Sequence, residues 1–330
     1  MTIAEIAQRA GVSKACVSRY INHGYVSEEK KARIRKVIEE TGYTPSRSAQ
    51  VLRTGKTGVI GVILPKINSE SIGRIAAGVS EVLTRQGYRL LLANTENQVE
   101  QELAYLELFK NDQVDGVIFV ATMLTPAHRE LICSMGVPMV MVGQRADYLS
   151  CVYHNDRSAA RELTRLLLAS GKRTPGMLGV TSRDRAVGSE RRTGFPEACE
   201  DCGITVPEEH MEICSFSIES GNDAAKLLFE RAPEIDCLFC ATDSIAIGAV
   251  QYLKGIGRRI PEELEVAGVG HSRMTEIISP RLTTAHLFYK TSGIEAATIL
   301  CQILESGIDM RKQIMLGYEV VRQESTKAKS

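Results

Sequence analysis

No apolar stretch of this 330-residue chain reaches the roughly 18 residues that a membrane-spanning helix needs. The first residues also lack the basic and then apolar layout of a secretory signal peptide. With 44% apolar and 24% charged residues, the composition is that of a globular protein long enough for two or three domains. We therefore expect a cytoplasmic protein with sizeable buried cores and no membrane partner.

The cysteines follow neither a disulfide framework nor a zinc spacing. There are nine of them, an odd number scattered along the chain, so free thiols in a reducing compartment are expected. Cys237 and Cys240 form a CxxC pair, but they lie in an apolar run that predicts a buried strand, and no second Cys/His pair stands nearby. We predict core packing for this pair and neither a metal nor another cofactor.

The net charge of zero conceals an asymmetry along the chain. Residues 1–57 contain 11 Lys and Arg against 5 Glu, a net charge of +6, which leaves −6 for the rest. A basic end of this kind is typical of a nucleic-acid-binding surface, although a solvated basic face has the same composition.

The first 22 residues have the spacing of two short helices joined by a tight turn. Thr2 precedes an apolar pattern and Glu5 lies three residues later, which is the spacing of a capping box at a helix start. Gly11 can adopt the left-handed conformation that ends this helix, and Ser13 can cap a second helix over residues 14–21. The turn of about three residues predicts a helix-turn-helix motif.

The second helix predicts a DNA-reading face. Val17 and Ile21 lie four residues apart and are expected to face the core. The residues left facing outward are Lys14, Ala15, Ser18, Arg19 and Asn22. The first residues of this helix meet base edges in helix-turn-helix docking, so the first two are the candidates for base reading. A third helix, between Ser27 and Gly42, is expected to close a three-helix core.

A short segment separates this domain from the rest of the chain. Pro45 ends the preceding element, and residues 47–53 are too few to form a stable isolated helix. The segment would become ordered against its own copy in a dimer at a DNA minor groove, with Leu52 as an apolar wedge. A plain linker is the alternative, and the residue pattern does not separate the two.

Strand-length apolar runs alternate with helical stretches from residue 57 onward. The runs begin at Val59, Arg89, Gly116, Pro138, Met177, Cys237 and Val266. Helical stretches are predicted over residues 71–86, 100–110, 156–170 and 243–254. This alternation predicts doubly wound parallel sheets, and its restart near residues 153–156 indicates two similar lobes. Ligands of such sheets bind beyond the carboxyl ends of the strands, so the cleft between the lobes is the expected site.

The most distinctive amino-terminal motifs are the runs 3–13, 17–19, 42–45 and 47–49, with Asn22, Val26 and Ser27. They resemble the headpiece and hinge of the LacI/GalR family of bacterial repressors. The resemblance implies that the five outward residues of the second helix face the major groove and that Leu52 intercalates. It also implies that Tyr43, Ser46 and Ala49 lie near the DNA backbone or minor groove. Cys16 departs from the pattern, because the family commonly has Thr there, and the phosphate contact of that hydroxyl is not expected here.

The core segments that resemble the same family are 115–118, 191–195, 241–248, 260–264 and 280–284. They imply a core of the periplasmic-binding-protein type, in which Arg191 binds sugar hydroxyls and Asp156 and Thr242 occupy further cleft positions. Two alternatives stay open from the residues alone. Asp156 and Asp243 each begin a helix and could be simple caps, and Arg191 could pair on the surface with Glu190 or Asp184.

The chain departs from the family at the end of one core strand. An Asp usually follows the strand near Val269, but Gly270, His271 and Ser272 stand there instead. Lys66 follows the first strand and would point toward the cleft mouth. One hypothesis is an anionic effector, such as a disaccharide phosphate, held by Lys66 and Arg191 with help from His271. The alternative is a neutral sugar such as sucrose, with Lys66 solvated.

The predicted architecture is an all-α helix-turn-helix headpiece, residues 1–45, a hinge or linker, residues 46–57, and a two-lobed α/β core, residues 58–330. Lobe 1 is expected to span about 58–155 and 287–314, and lobe 2 about 156–286 and 315–330, with crossings near residue 156, Leu287 and Met315. Two-fold DNA sites require a dimer, and the residues after Arg322 carry no leucine heptad for a tetramer.

The expected function is a repressor of a carbohydrate-utilisation operon, which binds double-stranded operator DNA as a homodimer and responds to a sugar or sugar phosphate. Such a protein would associate with the nucleoid when bound to DNA. A transport binding protein would share the core but not the headpiece. A sugar-processing enzyme would need paired carboxylates or a nucleophile with its base, and no Walker loop or supported Ser/His arrangement is found, so we expect no enzyme.

Overall fold

The computed structural model describes residues 1–22, 24–43, 55–111 and 114–327. The chain folds as two units, Met1–Thr57 and Gly58–Ser330. Within the described ranges, no helix combines the length and the apolar character needed to cross a bilayer.

The first unit is a three-helix domain. Its helices are α1 (Ile3–Ala10), α2 (Lys14–Ile21) and α3 (Glu28–Thr41). The predicted capping box is confirmed, since Thr2 Oγ1 accepts from the Glu5 amide at 3.3 Å and Glu5 Oε2 accepts from the Thr2 amide at 3.0 Å. Gly11 is left-handed with φ 63°, and the Ser13 side chain caps α2. These local signals place α2 across the domain core, where Val17 is fully buried.

The second unit begins with the sheet of lobe 1. Its strands, in spatial order, are β11 (Gln313–Leu316), β5 (Ser150–His154), β4 (Met139–Val142), β3 (Gly116–Val120), β1 (Val59–Leu64) and β2 (Arg89–Asn94), and all neighbours are parallel. The helices of this lobe are α4 (Glu70–Arg85), α5 (Val99–Lys110), α6 (Pro126–Cys133) and α11 (Tyr289–Ser306). The buried central strands carry Val and Ile on both faces, as expected of a sheet covered by helices.

Lobe 2 repeats this layout. Its strands, in spatial order, are β12 (Tyr318–Val321), β10 (Thr283–Leu287), β9 (Glu265–Val269), β8 (Cys237–Cys240), β6 (Pro175–Gly179) and β7 (Met211–Ile213). Only β12 runs antiparallel to its neighbour. The helices are α7 (Asp156–Ala169), α8 (Arg191–Glu200), α9 (Ile218–Arg231) and α10 (Asp243–Gly255), with short turns at Arg185–Glu190, Glu208–His210 and Arg273–Glu276. The prediction of two doubly wound sheets is confirmed.

The chain passes between the two sheets three times. The first passage is at Asn155, between β5 and α7, and the second is at Phe288, between β10 and α11. The third is at Gly317, which joins β11 in lobe 1 to β12 in lobe 2. The last passage therefore lies two residues beyond the position predicted near Met315, because the edge strand of lobe 1 extends to Leu316.

Strand alternation explains the CxxC pair. Cys237 and Cys240 lie on β8 and are buried in two different hydrophobic clusters on its two sides. Side chains three apart on a strand point to opposite faces, so these two thiols cannot share a ligand. The prediction of core packing is confirmed for both.

Helices α4 and α11 approach each other closely through two glycines. A Cβ added to Gly78 on α4 would lie 2.1 Å from the carbonyl oxygen of Lys290, and one added to Gly293 on α11 would lie 2.1 Å from that of Ile75. The backbones are therefore in contact, and this contact holds α11 in lobe 1 immediately after the second passage.

We expect Gly78→Ala to lower the free energy of unfolding by about 1–3 kcal/mol, because the added methyl group forces the two helices apart. Gly73→Ala is the matched control on the same helix, since a Cβ there meets no atom within 4 Å. The control should raise stability by about 0.5–1 kcal/mol through its helix propensity. Urea denaturation measures both, and equal effects would contradict the close packing.

Candidate functional site

The exposed face of α2 is the candidate nucleic-acid interface. Lys14, Ala15, Arg19 and Asn22 are exposed, and Ser18 is half-buried. The side-chain amide of Asn22 donates from Nδ2 to the Ser18 carbonyl oxygen at 2.5 Å, at the carboxyl end of the helix. The structure therefore places all five predicted residues on one side of α2, while Val17 on the opposite side is buried in the domain core. Their contact with DNA remains a prediction.

Of the four other residues predicted to lie at the DNA, the structure describes only Tyr43. Tyr43 is only 9% exposed and belongs to the buried cluster of the three-helix domain, together with Ile6 and Ile34. Its ring is in the same buried cluster as residues of α3, and the DNA contact that the resemblance implies for Tyr43 remains a prediction. Ser46, Ala49 and Leu52 lie outside the described residues.

A cavity of about 510 Å³ lies between the two lobes of the second unit. Several of its walls come from segments that follow the carboxyl ends of parallel strands, as expected for doubly wound sheets. From lobe 1 these segments contribute Lys66, Thr122 and Gln144, and from lobe 2 Thr242 and Ser272. Four of the five predicted effector residues line this cavity, namely Lys66, Asp156, Arg191 and Thr242.

A buried ion pair forms the floor of the cavity. Arg191 is 2% and Asp156 4% exposed, and Asp156 Oδ1 accepts from Arg191 Nε at 2.8 Å and from Nη2 at 2.7 Å. The guanidinium also donates to the Ala241 carbonyl oxygen and bonds the Tyr289 hydroxyl. Burial opposes the charge, but the Asp156 carboxylate and the Tyr289 hydroxyl outweigh it and raise the pKa of Arg191. The alternative of a surface pair with Glu190 or Asp184 is therefore wrong.

The simple helix-cap alternative is also wrong for both aspartates. The side chain of Asn155 caps α7 and that of Thr242 caps α10, so each Asp is the first residue inside its helix. Asp243 instead accepts from the Thr284 hydroxyl at 2.6 Å and the Ser272 amide at 2.7 Å. Thr242 faces the cavity while its hydroxyl accepts from the Ile245 amide at 3.4 Å.

His271 does not join the cavity lining, which corrects the expectation that it assists the effector. Its backbone is left-handed, with φ 51°, and its ring turns toward lobe 2. There Nδ1 lies 3.1 Å from His286 Nδ1, and Nε2 lies 3.1 Å from Glu276 Oε1. Both ring nitrogens are thus held by lobe 2 partners, away from the ligand site.

Two residues that the sequence reading did not assign to the cleft connect the lobes across it. Gln144 Nε2, in lobe 1, donates to Asp184 Oδ1, in lobe 2, at 3.0 Å. Burial raises the pKa of Asp184, although hydrogen bonds from the Val187 amide and from Gln144 oppose the shift. Gln144 is a polar residue just after the core strand β4, and this position is the signal that the sequence offers. Its partner Asp184 lies 40 residues away, so spacing does not identify the pair.

We expect Asp156→Asn to lower the free energy of unfolding by about 3–5 kcal/mol, because it leaves the buried Arg191 guanidinium without a counter-charge. Asp201→Asn is the control, since Asp201 pairs with Arg161 and Arg165 at the surface, where water screens the interaction. Urea denaturation of both variants measures the difference. A loss at Asp156 no larger than at Asp201 would show that the ion pair is dispensable.

Asp184→Asn is expected to have the opposite sign. A raised pKa means that the folded chain binds this proton more tightly than the unfolded chain, so the charge costs stability at neutral pH. The cost disappears as the pH falls through the raised pKa, and Asn retains the oxygen that Gln144 and Val187 contact. The variant should therefore be more stable than the wild type at neutral pH, with a gain that shrinks in acid. A constant loss at every pH would rule this out.

Comparison with known proteins identifies the family of both units of the chain. Residues 2–46 match the family described as bacterial regulatory proteins, lacI family, and residues 57–319 match the family described as periplasmic binding proteins and sugar binding domain of LacI family. The sucrose operon repressor of Staphylococcus xylosus is 33% identical over 96% of this chain and 98% of its own length. The ribose operon repressor of Halalkalibacterium halodurans is 30% identical, with coverage of 98% and 96%.

Solved structures show the same architecture. The cellobiose complex of the transcriptional regulator CelR has a TM-score of 0.77 at 25% identity and covers 98% of this chain and 99% of its own. The lac repressor dimer bound to operator and an anti-inducer has a TM-score of 0.90 at 19% identity, with 99% of each chain covered, and supports the fold alone. By its two matched domains and its full-length relatives, this chain belongs to the LacI family of bacterial regulatory proteins.

Proposed function

We propose that this protein is a transcriptional repressor of a carbohydrate-utilisation operon, and that a small sugar bound between the core lobes controls its affinity for operator DNA. The observation that carries the proposal is the presence, in one chain, of an exposed helix-turn-helix face and a polar cavity between two hinged lobes. Repressors of sucrose and ribose operons among the relatives support the same function.

The DNA-binding step rests on α2. Its exposed residues are short or basic, which suits a helix lying in the major groove, where Lys can donate to guanine and Ala can contact a thymine methyl. One headpiece offers few base contacts, so we propose that a homodimer presents two of them to a two-fold operator. A protein of this kind works at the nucleoid, in the cytoplasm.

The charges of the cavity favour a neutral sugar. Asp156 already neutralises Arg191, and the remaining cation, Lys66, faces a lining that also contains Asp184, Glu70 and Glu219. A phosphate group would meet more negative than positive side chains. We therefore prefer a neutral saccharide to the disaccharide phosphate that Lys66 and Arg191 first suggested.

The same carboxylates argue against a sugar-processing enzyme. Hydrolysis of a glycosidic bond needs one carboxyl as an acid and a second as a base or nucleophile. Asp156 is committed to Arg191, Asp184 to Gln144 and the Val187 amide, and Glu70 to Arg74 and the Arg273 amide. Of the carboxylates in the lining this leaves Glu219, and one carboxylate cannot fill both roles. We propose that the bound sugar is released unchanged, and turnover of that sugar by the pure protein would overturn this part.

We expect Lys14→Ala to weaken binding to the preferred operator about tenfold, because a base contact is worth about 1–3 kcal/mol, and to weaken binding to random DNA less. Lys30→Ala, which removes the same charge from an exposed position on α3, is the matched control. Gel-shift titration on an operator selected from a random-sequence pool measures both.

Two outcomes would contradict the proposal. If selection enriches no sequence, the protein is not a sequence-specific DNA-binding protein. If Lys14→Ala weakens binding to operator and to random DNA by the same factor, as a lost phosphate contact would, then Lys14 does not read bases. The base-reading role of Lys14 on α2 is then wrong.

A further inference from the structure

A second, smaller cavity lies at the junction of the two lobes. Its volume is about 160 Å³, against about 510 Å³ for the cavity assigned to the sugar. The two cavities share part of a wall, including Gln144 and Asp156. Lys66, Arg191 and Thr242 line only the larger one. The second cavity therefore has a lining of its own, and its size suits a small ion or group better than a whole sugar.

Three arginines, from both lobes, distinguish this second cavity. Arg145 comes from lobe 1, just after β4, and Arg157 and Arg185 come from lobe 2. The carboxylates of the lining are Asp156 and Glu190, and the first of these is already neutralised by the buried ion pair of the floor. This balance is the reverse of that in the larger cavity, where one lysine faces several carboxylates.

The three arginines differ in the counter-charges that they already have. Arg157 donates to Glu197 from Nε at 2.9 Å and also from Nη2, so a carboxylate outside the cavity compensates its charge. Arg185 Nε lies 3.8 Å from Glu190 Oε1, in a loose surface pair that water screens. Arg145 is exposed and makes no ion pair among the residues that the structure describes. Arg145 and Arg185 are therefore the cations most available to a ligand.

The contact between the lobes brings these two cations to one cavity. Arg145 directly follows Gln144, and Arg185 directly follows Asp184. Gln144 Nε2 donates to Asp184 Oδ1 at 3.0 Å across the lobe boundary, and Asp184 also forms a backbone bridge with Met123 of lobe 1. Like charges at one site repel each other, so an anion between them would stabilise the arrangement in which the lobes touch here.

We propose that this second cavity binds a phosphate group between Arg145 of lobe 1 and Arg185 of lobe 2, separately from the sugar site. The planar guanidinium can donate two parallel N–H bonds to phosphate oxygens, which makes arginine well suited to this ligand. Inorganic phosphate and a small phosphate monoester share this chemistry. The inference goes beyond the proposed function, because it gives the protein a second class of ligand.

The test is equilibrium dialysis of the full-length protein against radiolabelled inorganic phosphate, in chloride buffer of fixed ionic strength. Arg145→Gln and Arg185→Gln each remove one cation, and both side chains are exposed, so both variants should keep the fold. Arg183→Gln is the matched control, because Arg183 is exposed two residues before Arg185 but lies outside the lining.

We expect the wild type to bind phosphate, and Arg145→Gln and Arg185→Gln each to weaken that binding about five- to tenfold through the lost charge-assisted hydrogen bonds. Arg183→Gln should change it by less than about twofold, since salt screens a charge that makes no contact. Absence of phosphate binding by the wild type, or an equal loss in all three variants, would overturn the proposal. So would a loss in Lys66→Ala without one in Arg145→Gln, because the phosphate would then lie in the larger cavity.

Glycerol 3-phosphate distinguishes the two sources of the phosphate group. If it displaces the label more effectively than unlabelled phosphate does, and requires the same two arginines, the ligand is a monoester. If it is less effective, the ligand is free phosphate. Operator selection on the same preparation keeps this inference separate from the proposed function, because Arg145 and Arg185 lie outside α2 and outside the lining of the larger cavity.

Discussion

The buried pair between Asp156 and Arg191 is the interaction on which the rest of the core depends. Asp156 begins α7 directly after the first passage between the lobes, and Tyr289, which bonds the same guanidinium, begins α11 directly after the second. One charge cluster therefore ties two of the three connecting segments to the floor of the cavity. Neither charge can be left alone in this interior without a cost of several kcal/mol, so the pair stays formed in the folded core.

The other contacts between the two lobes are single hydrogen bonds and not a buried ion pair. Gln144 meets Asp184 through one hydrogen bond, and the Arg273 amide donates to the Glu70 carboxylate. Each hydrogen bond to a charged group contributes about 1.5–3 kcal/mol net, which is less than the about 3–5 kcal/mol lost when one partner of a buried ion pair is removed. A ligand that binds one arrangement of the lobes better than another can shift the equilibrium between them by its difference in affinity.

Local signals predicted the local structure well. The Thr2 and Glu5 spacing, Gly11 and Ser13 identified the headpiece helices, and apolar runs located most of the central strands and the edge strand β2. The interior strands β5 and β10 were missed because Ser, Thr and His residues interrupt their apolar character, and the edge strands β7, β11 and β12 were missed because they are only partly buried. The partners of Arg191 and Asp184 lie 35 and 40 residues away and depend on how the elements pack, as does the burial of Tyr43.

The central claim is that one small molecule in the cleft and one DNA site at α2 are energetically coupled. The most direct measurement is the affinity of the bound sugar for the free protein and for the protein saturated with its operator, alongside the operator affinity with and without sugar. Linkage predicts that both affinities change by the same factor, about five- to 150-fold for a typical coupling. Sugar affinity that is identical in free and operator-bound protein would contradict the account.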